Sequence, residues 1–558
     1  MSLYYGGRIL TMVGETRETV KYVEAVVEKD GKITFAGSLS HAKRIFRGIN
    51  EVNLEGRTMM PGHIDPHLHP SMASLILKMD FITPFDWDLP NGKFPGVRTE
   101  QGYRDRLTKL ITQRNYVSSR QDFLITWGYH PSFHGKMAKG VIDQLKPLVP
   151  VVVWHRSFHE VYLGTIALEQ LKYDDLDELK KNPQVEWDSG HFFEMGLDAL
   201  LSTTSFKDHV FPLMEEGYKD LVQVIHQNGI TTVGDLEFPL IDLDLEKSMA
   251  SKNLKSKDVF FSTYCVCSAR NFSKIAGKDH EKAKTLIQDL AKEFSDDQVI
   301  VYKDHVKALC DGAFFSQLMQ MEDGYSDGHS GQWITEPDEL AKLMEVYWNS
   351  KPKGFQIHVH TNGDLGMAKL LEIVEHLKTM YPRKDRGTTV EHAGYFTKKQ
   401  ADKIAELGLR VSAAPYYLHT LAEKYSSEKE GIGKARAEAM SPLRWLFDNG
   451  VVTALHSDFT MAPSKPLLLA WCAVNRVTAE GNCFRKDLAI TPYEGLLGIT
   501  KNAAIILGTD DIMGTIEEGK LANFTILEKD PLEVEPMEIK DIKIYASVYK
   551  GRMNSIRT

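Results

Sequence analysis

The segment PGHIDPHLHP, at residues 61–70, carries three histidines within seven positions. His67 and His69 are two residues apart, so their side chains lie on the same face of an extended strand. Two imidazoles on one face can bind one metal ion. A polar loop would also explain the segment, and the rest of the chain has to decide between these two interpretations.

Four further residues could complete a metal site, and each lies near the end of an apolar run. They are Lys307 in VKALCDG, His360 in HVHTNGD, His392 in VEHAG and Asp458 in LHSDF. Each residue is weak evidence by itself, but the order HxH, Lys, His, His and Asp along successive runs is specific. Four histidines and a carboxylate suit Zn²⁺, with Mn²⁺, Fe²⁺ or Ni²⁺ as alternatives.

Eight strand-like runs contain these residues, and helical patterns such as PDELAKLMEVYWNS separate most of them. The runs are MMPGHIDPH, GITTVGDLE, VFFSTYCVCS, HVKALCDG, FQIHVHTNGD, GTTVEHAG, LRVSAAP and TALHSDF. Eight strands alternating with helices predict an α/β fold, a (β/α)8 TIM barrel, in which chemistry takes place at the C-terminal strand ends. A doubly wound sheet is the alternative, since short apolar runs are ambiguous.

The two ends of the chain differ from the middle and predict one small β-sandwich domain built from both termini. Alternating runs broken by turn signals such as EKDGK lie near the start, and LANFTILEKDP and IKIYASVYKGR lie near the end. The predicted boundaries are 1–60 for the first sandwich part, 61–505 for the barrel and 506–558 for the second sandwich part.

A long connection separates the first two barrel strands. It holds roughly 150 residues, too many for a loop, and includes strand-like runs at 122–130 and 150–164. We therefore predict an inserted capping subdomain at about 71–210. At the C-terminal mouth of the barrel, such a subdomain could cover the site and contact the substrate.

Charge and composition exclude several classes of function. The net charge of −9 and the pI near 6.1 argue against a nucleic-acid or anionic-membrane partner. The N-terminus lacks the pattern of a secretory signal, and no run of eighteen apolar residues occurs. The five cysteines form no disulfide framework. These features predict a cytoplasmic protein that acts on a small-molecule substrate.

The motifs PGHIDPHLH, VKALCDG, HVHTNGD, VEHAG and LHSDF together resemble the amidohydrolase superfamily. More narrowly, they resemble its amidohydrolase-3 branch, which includes the N-substituted formamide deformylases. The resemblance covers nearly the whole chain, and it implies a metal-dependent hydrolase with one or two divalent ions, most often Zn²⁺. It further implies that His67, His69 and Asp458 hold one ion.

The resemblance also implies the ligands of a second ion. His360 and His392 would hold it, and Lys307 would bridge both ions as an N-carboxylated lysine formed with CO2. Carboxylation is needed because an ammonium group cannot bind a cation. The alternative is an ordinary strand-end lysine paired with Asp311, in a site with a single metal.

The chemistry implied by this site is hydrolysis of an amide, formamide or cyclic amide C–N bond by metal-activated hydroxide. Asp458 would act as general base and acid, with His392 as a second catalytic residue. Two alternatives stay open: a metal-dependent deaminase on the same barrel, and a catalytically silent metal-binding relative. A homodimer is a family-level expectation.

Three residues are predicted to contact the substrate: His159, Arg156 and Trp333. The relatives carry a histidine followed by an Asn-Ser pair in the inserted subdomain, whereas this chain has Leu163 and Gly164 at that place. The substrate of the relatives is therefore not carried over to this chain.

Overall fold

The structure is a computed structural model that describes residues 1–117, 123–171, 173–383 and 387–556. Its centre is an eight-stranded parallel sheet whose strands follow chain order around a nearly closed barrel, which confirms the predicted (β/α)8 fold. We call these barrel strands 1 to 8. Their bounds are His63–Leu68, Ile230–Phe238, Ser262–Ser268, Val299–Leu309, Gln356–Thr361, Thr388–His392, Arg410–Ala413 and Thr453–Leu455.

The barrel strands are apolar because most of them are covered on both faces, as is usual in parallel sheets. Strand 2, for example, is buried at every position from Ile230 to Phe238. Strands 8 and 1 meet where the backbone N–H of Asp458 donates to the carbonyl of His67, at 2.9 Å. This contact brings the last and the first predicted ligand segments together at the C-terminal mouth.

Helices follow the barrel strands and cover the outside of the barrel. The helix after strand 6 begins with a capping box, in which Thr397 and Gln400 satisfy each other's backbone N–H groups. From strand 2 onward the helices are Leu243–Asn253, Ala269–Ile275, His280–Phe294, Pro337–Trp348, Asp364–Met380, Lys398–Glu406, Tyr416–Tyr425, Lys434–Glu438, Leu443–Asp448, Pro466–Asn475, Pro492–Gly498 and Lys501–Leu507, with a 3-10 turn at Lys486–Leu488.

The connection between strands 1 and 2 has a sheet of its own. Its six strands lie in the order Val185–Glu186, His191–Phe193, Glu160–Leu163, Val151–His155, Leu124–Tyr129 and Asp80–Phe81. A ribbon of Trp87–Leu89 and Gly92–Phe94 lies beside it. Residue 122, in the predicted strand-like run 122–130, lies outside the described residues.

Nine helices belong to this connection within the described residues. They are Pro70–Ile76, Glu100–Val117, Pro131–His134, Lys139–Asp143, Thr165–Glu169, Tyr173–Lys181, Met195–Leu201, Thr204–Val210 and the long Pro212–Gln227, which leads into strand 2. The segment at 150–164 forms two antiparallel strands, so this connection contains regular secondary structure.

Both termini contribute to one mixed sheet, as predicted for the β domain. Its strands are Ser2–Leu10, Tyr22–Lys29, Lys32–Gly37, Asn50–Asn53, Thr58–Pro61, Phe524–Leu527, Ile544–Tyr549 and Arg552–Ser555, with the helix Leu39–Ile45 on one face and a 3-10 turn at Pro536–Asp541. Thr525 joins this sheet to the barrel: its hydroxyl accepts from the His63 N–H at 2.9 Å and donates to the Gly229 carbonyl at 2.7 Å. These contacts lie at the N-terminal strand ends, opposite the predicted site.

Among the described helices, none is both long and apolar enough to cross a membrane.

Candidate metal centre

A cavity at the C-terminal mouth of the barrel brings the predicted residues together. Barrel and insertion both line it: His69, Lys307, His360, His392 and Asp458 come from barrel strands or the turns after them, and Ser157, Phe158, His159, Glu194 and Asp198 come from the insertion. His67 lies beneath the cavity and is fully buried. The site is therefore formed where the barrel and the insertion meet.

The first predicted ligand group is compact. The Nε2 atoms of His69 and His67 lie 3.4 Å and 3.8 Å from Asp458 Oδ1. The ligand atoms of these three residues all lie within 4.8 Å of one another. Imidazole nitrogens and a carboxylate are the donor set that Zn²⁺ and similar divalent ions bind. The buried Nδ1 of His69 makes no hydrogen bond within the described part of the chain.

The other two predicted histidines lie beside this group. The rings of His360 and His392 have their centroids 4.3 Å apart, and the ring of His392 lies 4.7 Å from that of His67. His392 and Asp458 have φ angles of 75° and 50°, a region that non-glycine residues rarely adopt. Such strained backbone tends to persist where function requires it.

Burial sets the protonation of the histidines. It lowers the pKa of His69 to about 3 and holds the pKa values of His67, His360 and His392 well below the ordinary value. The positive charge of Lys307 adds to the effect in all four cases. The rings are therefore neutral at physiological pH, which is the form that binds metals.

Lys307 lies inside the same group, with its Nζ 3.4 Å from the Nε2 of His67. Burial lowers the pKa of this lysine, although the carboxylates of Glu391, Glu237 and Asp458 oppose the shift. Burial thus shifts the protonation equilibrium of Lys307 toward the neutral amine.

Asp458 differs from an ordinary aspartate in its protonation. Burial raises the pKa of this carboxyl to about 7, while the charges of Lys307 and His159 lower it. A carboxyl group with a pKa near neutrality can both take up and release a proton at working pH.

Glu391 was not predicted from the sequence as part of the site. It is fully buried in the barrel and accepts hydrogen bonds from the Nδ1 atoms of His67 and His358, each at 2.7 Å. A proton on Nδ1 of His67 leaves Nε2 as the nitrogen that faces Asp458, so Glu391 orients this ligand. The available signal was a second HxH pattern, His358 and His360, together with an acidic residue directly before His392.

His456 is the second residue that the sequence reasoning missed. Its Nε2 lies 3.2 Å from the Nδ1 of His392, and its Nδ1 lies 2.8 Å from the hydroxyl of Ser412. With His67 and His392 it forms a further group whose nitrogens lie within 4.8 Å of one another. The signal was its place two residues before Asp458, at the end of strand 8.

Asp311 and Asn362 support His360 from the loops after strands 4 and 5. Asp311 accepts backbone N–H groups from Gln320, Asn362 and Gly363, and Asn362 Nδ2 lies 2.9 Å from His360 Nε2. Asn362 thus contacts the ring of His360 on its Nε2 side.

The three predicted substrate contacts lie in different places. His159 lines the cavity. Arg156 is fully buried among aromatic rings, with Phe315 at 4.8 Å, and its Nη2 donates to the carbonyl of Met461 at 3.0 Å. Trp333 forms a backbone bridge with Asp311 beside the site. Neither Arg156 nor Trp333 lines the cavity, and their roles stay predictions.

Comparisons with known proteins agree with this geometry. The chain is 23% identical over 99% of its length to the Bacillus subtilis protein YtcJ, of which 99% is covered. It is 22% identical over 96% of its length to the N-substituted formamide deformylase of Arthrobacter pascens, of which 95% is covered. Its fold matches an uncharacterized metal-dependent hydrolase from Pyrococcus horikoshii OT3, with a TM-score of 0.69, 19% identity and coverage of 96% and 99% of the two chains.

The decisive comparison is with the sequence model of a whole family. The model of the amidohydrolase family matches residues 50–553, which include all eight barrel strands and the inserted subdomain. The general activity of this family is metal-dependent hydrolysis, in keeping with the histidine-rich group at the barrel mouth. The chain belongs to the amidohydrolase family.

Proposed function

We propose that this protein hydrolyses a C–N bond of a small molecule, in an amide, a formamide or a cyclic amide. The observation that carries the proposal is the convergence of neutral histidines, a buried lysine and a carboxyl with a pKa near 7 on one cavity. The similarity to a protein named N-substituted formamide deformylase makes formamides the first class to test.

The residues at the mouth fit one or two divalent ions, with Zn²⁺ as the first candidate. His67, His69 and Asp458 would hold one ion, and His360 and His392 would hold a second. When bound, a divalent ion supplies Lewis acidity toward the substrate carbonyl and a lowered pKa of bound water.

Lys307 is proposed to bridge the ions as its carbamate. A neutral lysine amine adds CO2 and loses one proton, which gives an anionic group with two oxygen donors. The buried position of Lys307 favours the neutral amine that this reaction requires. Its place 3.4 Å from His67 favours the bridged hydrolase over a deaminase with a single metal.

Asp458 is the proposed general base. It would take a proton from the attacking water and deliver it to the leaving nitrogen, so that amide and water give a carboxylic acid and an amine. His392 borders the same carboxylate, with its Nδ1 3.7 Å from Asp458 Oδ2, and would hold it in position.

His159 is the proposed substrate contact from the insertion. Burial lowers its pKa, but the carboxylates of Glu194, Asp458 and Glu160 together raise it by more, so the net pKa lies above the ordinary value. The raised pKa favours the protonated ring, which can donate from Nδ1 to Glu194 and from Nε2 to a substrate carbonyl.

A substrate panel tests the proposal. Protein loaded with Zn²⁺ in the presence of bicarbonate is incubated with N-benzylformamide, N-benzylacetamide, a cyclic amide such as hydantoin, and the deaminase substrates guanine and adenosine. Release of formate or benzylamine, or opening of the ring, supports the proposal. Release of ammonia from the purines alone would replace it with the deaminase.

A lysine variant tests the bridge separately. Lys307→Ala should lower the metal content and the activity, and added acetate or propionate should restore part of both, because a free carboxylate can take the place of the carbamate. Full metal content and activity in Lys307→Ala would show that Lys307 does not bridge the ions.

A further inference from the structure

The insertion places a histidine and a glutamate side by side at the cavity. Its strands Glu160–Leu163 and His191–Phe193 are antiparallel, with Glu160 opposite Phe193. The next cross-strand pair is His159 and Glu194, just where the two strands reach the cavity. The Glu194 N–H donates to the His159 carbonyl at 2.9 Å, and the His159 Nδ1 lies 2.9 Å from Glu194 Oε2.

Only one carboxylate oxygen of Glu194, Oε2, makes a hydrogen bond to a described residue, His159. The side chain of Glu194 is only 8% exposed, and Oε1 is buried without a hydrogen-bond partner among the described residues. A buried carboxylate oxygen is unfavourable unless something donates to it. Because Glu194 lines the cavity, a bound substrate can supply that donor.

The backbone at Glu194 is also strained. Its φ and ψ angles are 44° and −115°, in a region that favours glycine. A residue held in this way by its surroundings points to a functional requirement for its side chain.

The nearest guanidinium at the cavity leaves Oε1 of Glu194 unoccupied. Arg270 lies at the same cavity, with Nη1 3.2 Å from Asp198 and Nη2 3.7 Å from Glu237. The guanidinium thus pairs with two other carboxylates and not with Oε1 of Glu194.

We propose that Glu194 is a specificity-determining residue whose Oε1 accepts an N–H of the substrate. Its other oxygen, Oε2, holds His159 with Nε2 toward the cavity. Together the two side chains present an acceptor next to a ring nitrogen that faces the substrate carbonyl, which matches a –CO–NH– group. This site would select amides that keep an N–H over N,N-disubstituted amides. The inference rests on the proposed function.

The remaining cavity wall suits an apolar substituent on that nitrogen. Apolar side chains from the insertion and from the loop after strand 2 line it, namely Met72, Leu197, Leu201, Leu240 and Ile241. A benzyl group is therefore an appropriate probe, and N-benzylformamide and N-benzyl-N-methylformamide form a matched pair with and without the N–H.

The first test compares kcat/KM for this pair in the metal-loaded enzyme. We expect wild-type enzyme to prefer N-benzylformamide by at least about tenfold, because a buried acceptor left without its donor is costly. In Glu194→Gln the amide oxygen can still bind His159, but its NH2 group then faces the cavity. The preference should fall to within about twofold.

Two outcomes of this comparison overturn the inference. Equal kcat/KM values for the two formamides in wild-type enzyme would show that no N–H is recognised. An undiminished preference in Glu194→Gln would show that the extra methyl group is excluded by its size. Asp198→Asn is the matched control, since it removes a carboxylate from the same cavity without touching His159, and it should keep the wild-type preference.

The second test does not depend on turnover. In holoenzyme labelled with ¹⁵N-histidine, the ring signals of His159 are assigned by their loss in His159→Gln, and the two amides are titrated while these signals are followed. Wild-type protein should bind the secondary amide at least about tenfold more tightly, and Glu194→Gln should bind both equally. Equal affinities in wild-type protein would overturn the inference.

The two tests separate the inference from the proposed function. If neither formamide is hydrolysed but the secondary amide binds selectively, hydrolysis of formamides fails while the recognition by Glu194 stands. If both are hydrolysed at equal rates, the proposed function stands and the role of Glu194 falls.

Discussion

The barrel mouth and the inserted subdomain meet at one cavity but contribute different chemistry to it. The barrel contributes neutral, buried histidines, a buried lysine and Asp458, all at or just after the ends of strands. The insertion contributes His159 and Glu194. The barrel thus carries the groups that suit a metal ion, and the insertion carries groups that suit a polar substrate. The two contributions should be separable by mutation.

Asp458→Asn should have the largest effect of the single substitutions. The amide cannot accept the proton of the attacking water, so kcat should fall by about 10²–10⁴-fold. Metal content should be largely retained, because the histidine ligands remain. Activity of the purified variant and metal content by emission spectroscopy are measured together, and full retention of turnover would eliminate Asp458 as the base.

Glu391→Gln should act through the barrel ligands and not through the substrate. Loss of the carboxylate that accepts from His67 and His358 should lower metal affinity or activity by about 10–100-fold. Affinity is measured by competition with a chelator. Glu375→Gln, which alters an exposed ion pair with Lys403, is the control and should change neither quantity. An unchanged metal affinity and activity in Glu391→Gln would show that Glu391 is not needed to orient His67.

His159→Gln should have the smallest effect on activity. It should separate substrate binding by the insertion from metal binding by the barrel. Loss of one substrate contact should lower kcat/KM by roughly tenfold, in line with a single charged hydrogen bond, and should leave metal affinity unchanged. Chelator competition and steady-state kinetics check both parts. Loss of metal from His159→Gln would show that the insertion takes part in metal binding, and would contradict the assignment of metal binding to the barrel alone.

The barrel could be predicted because its physical signals are local. Parallel strands buried on both faces read as short apolar runs, and all eight runs form barrel strands. His67 and His69 could be paired from their spacing, because alternate residues of a strand share a face. The other ligand candidates could be placed at one mouth because the C-terminal ends of barrel strands meet there.

The contacts that join distant segments could not be predicted in the same way. Glu391 lies 324 positions from His67 in the chain, and only closure of the barrel brings the two together. Glu194 lies 35 positions from His159, and the antiparallel pairing inside the insertion decides that they meet. Arg156 was predicted as a substrate contact, and its side chain packs among aromatic rings and does not line the cavity.

Metal content shows most directly whether the histidine-rich group at the barrel mouth binds divalent ions. Protein purified without added metal, and again after reconstitution with Zn²⁺ and bicarbonate, is analysed by emission spectroscopy beside a His67→Ala/His69→Ala variant. We predict one to two equivalents of a divalent ion in the wild-type protein, with about two if Lys307 bridges, and a large loss in the variant. Wild-type protein that binds no divalent ion even after reconstitution would contradict the account.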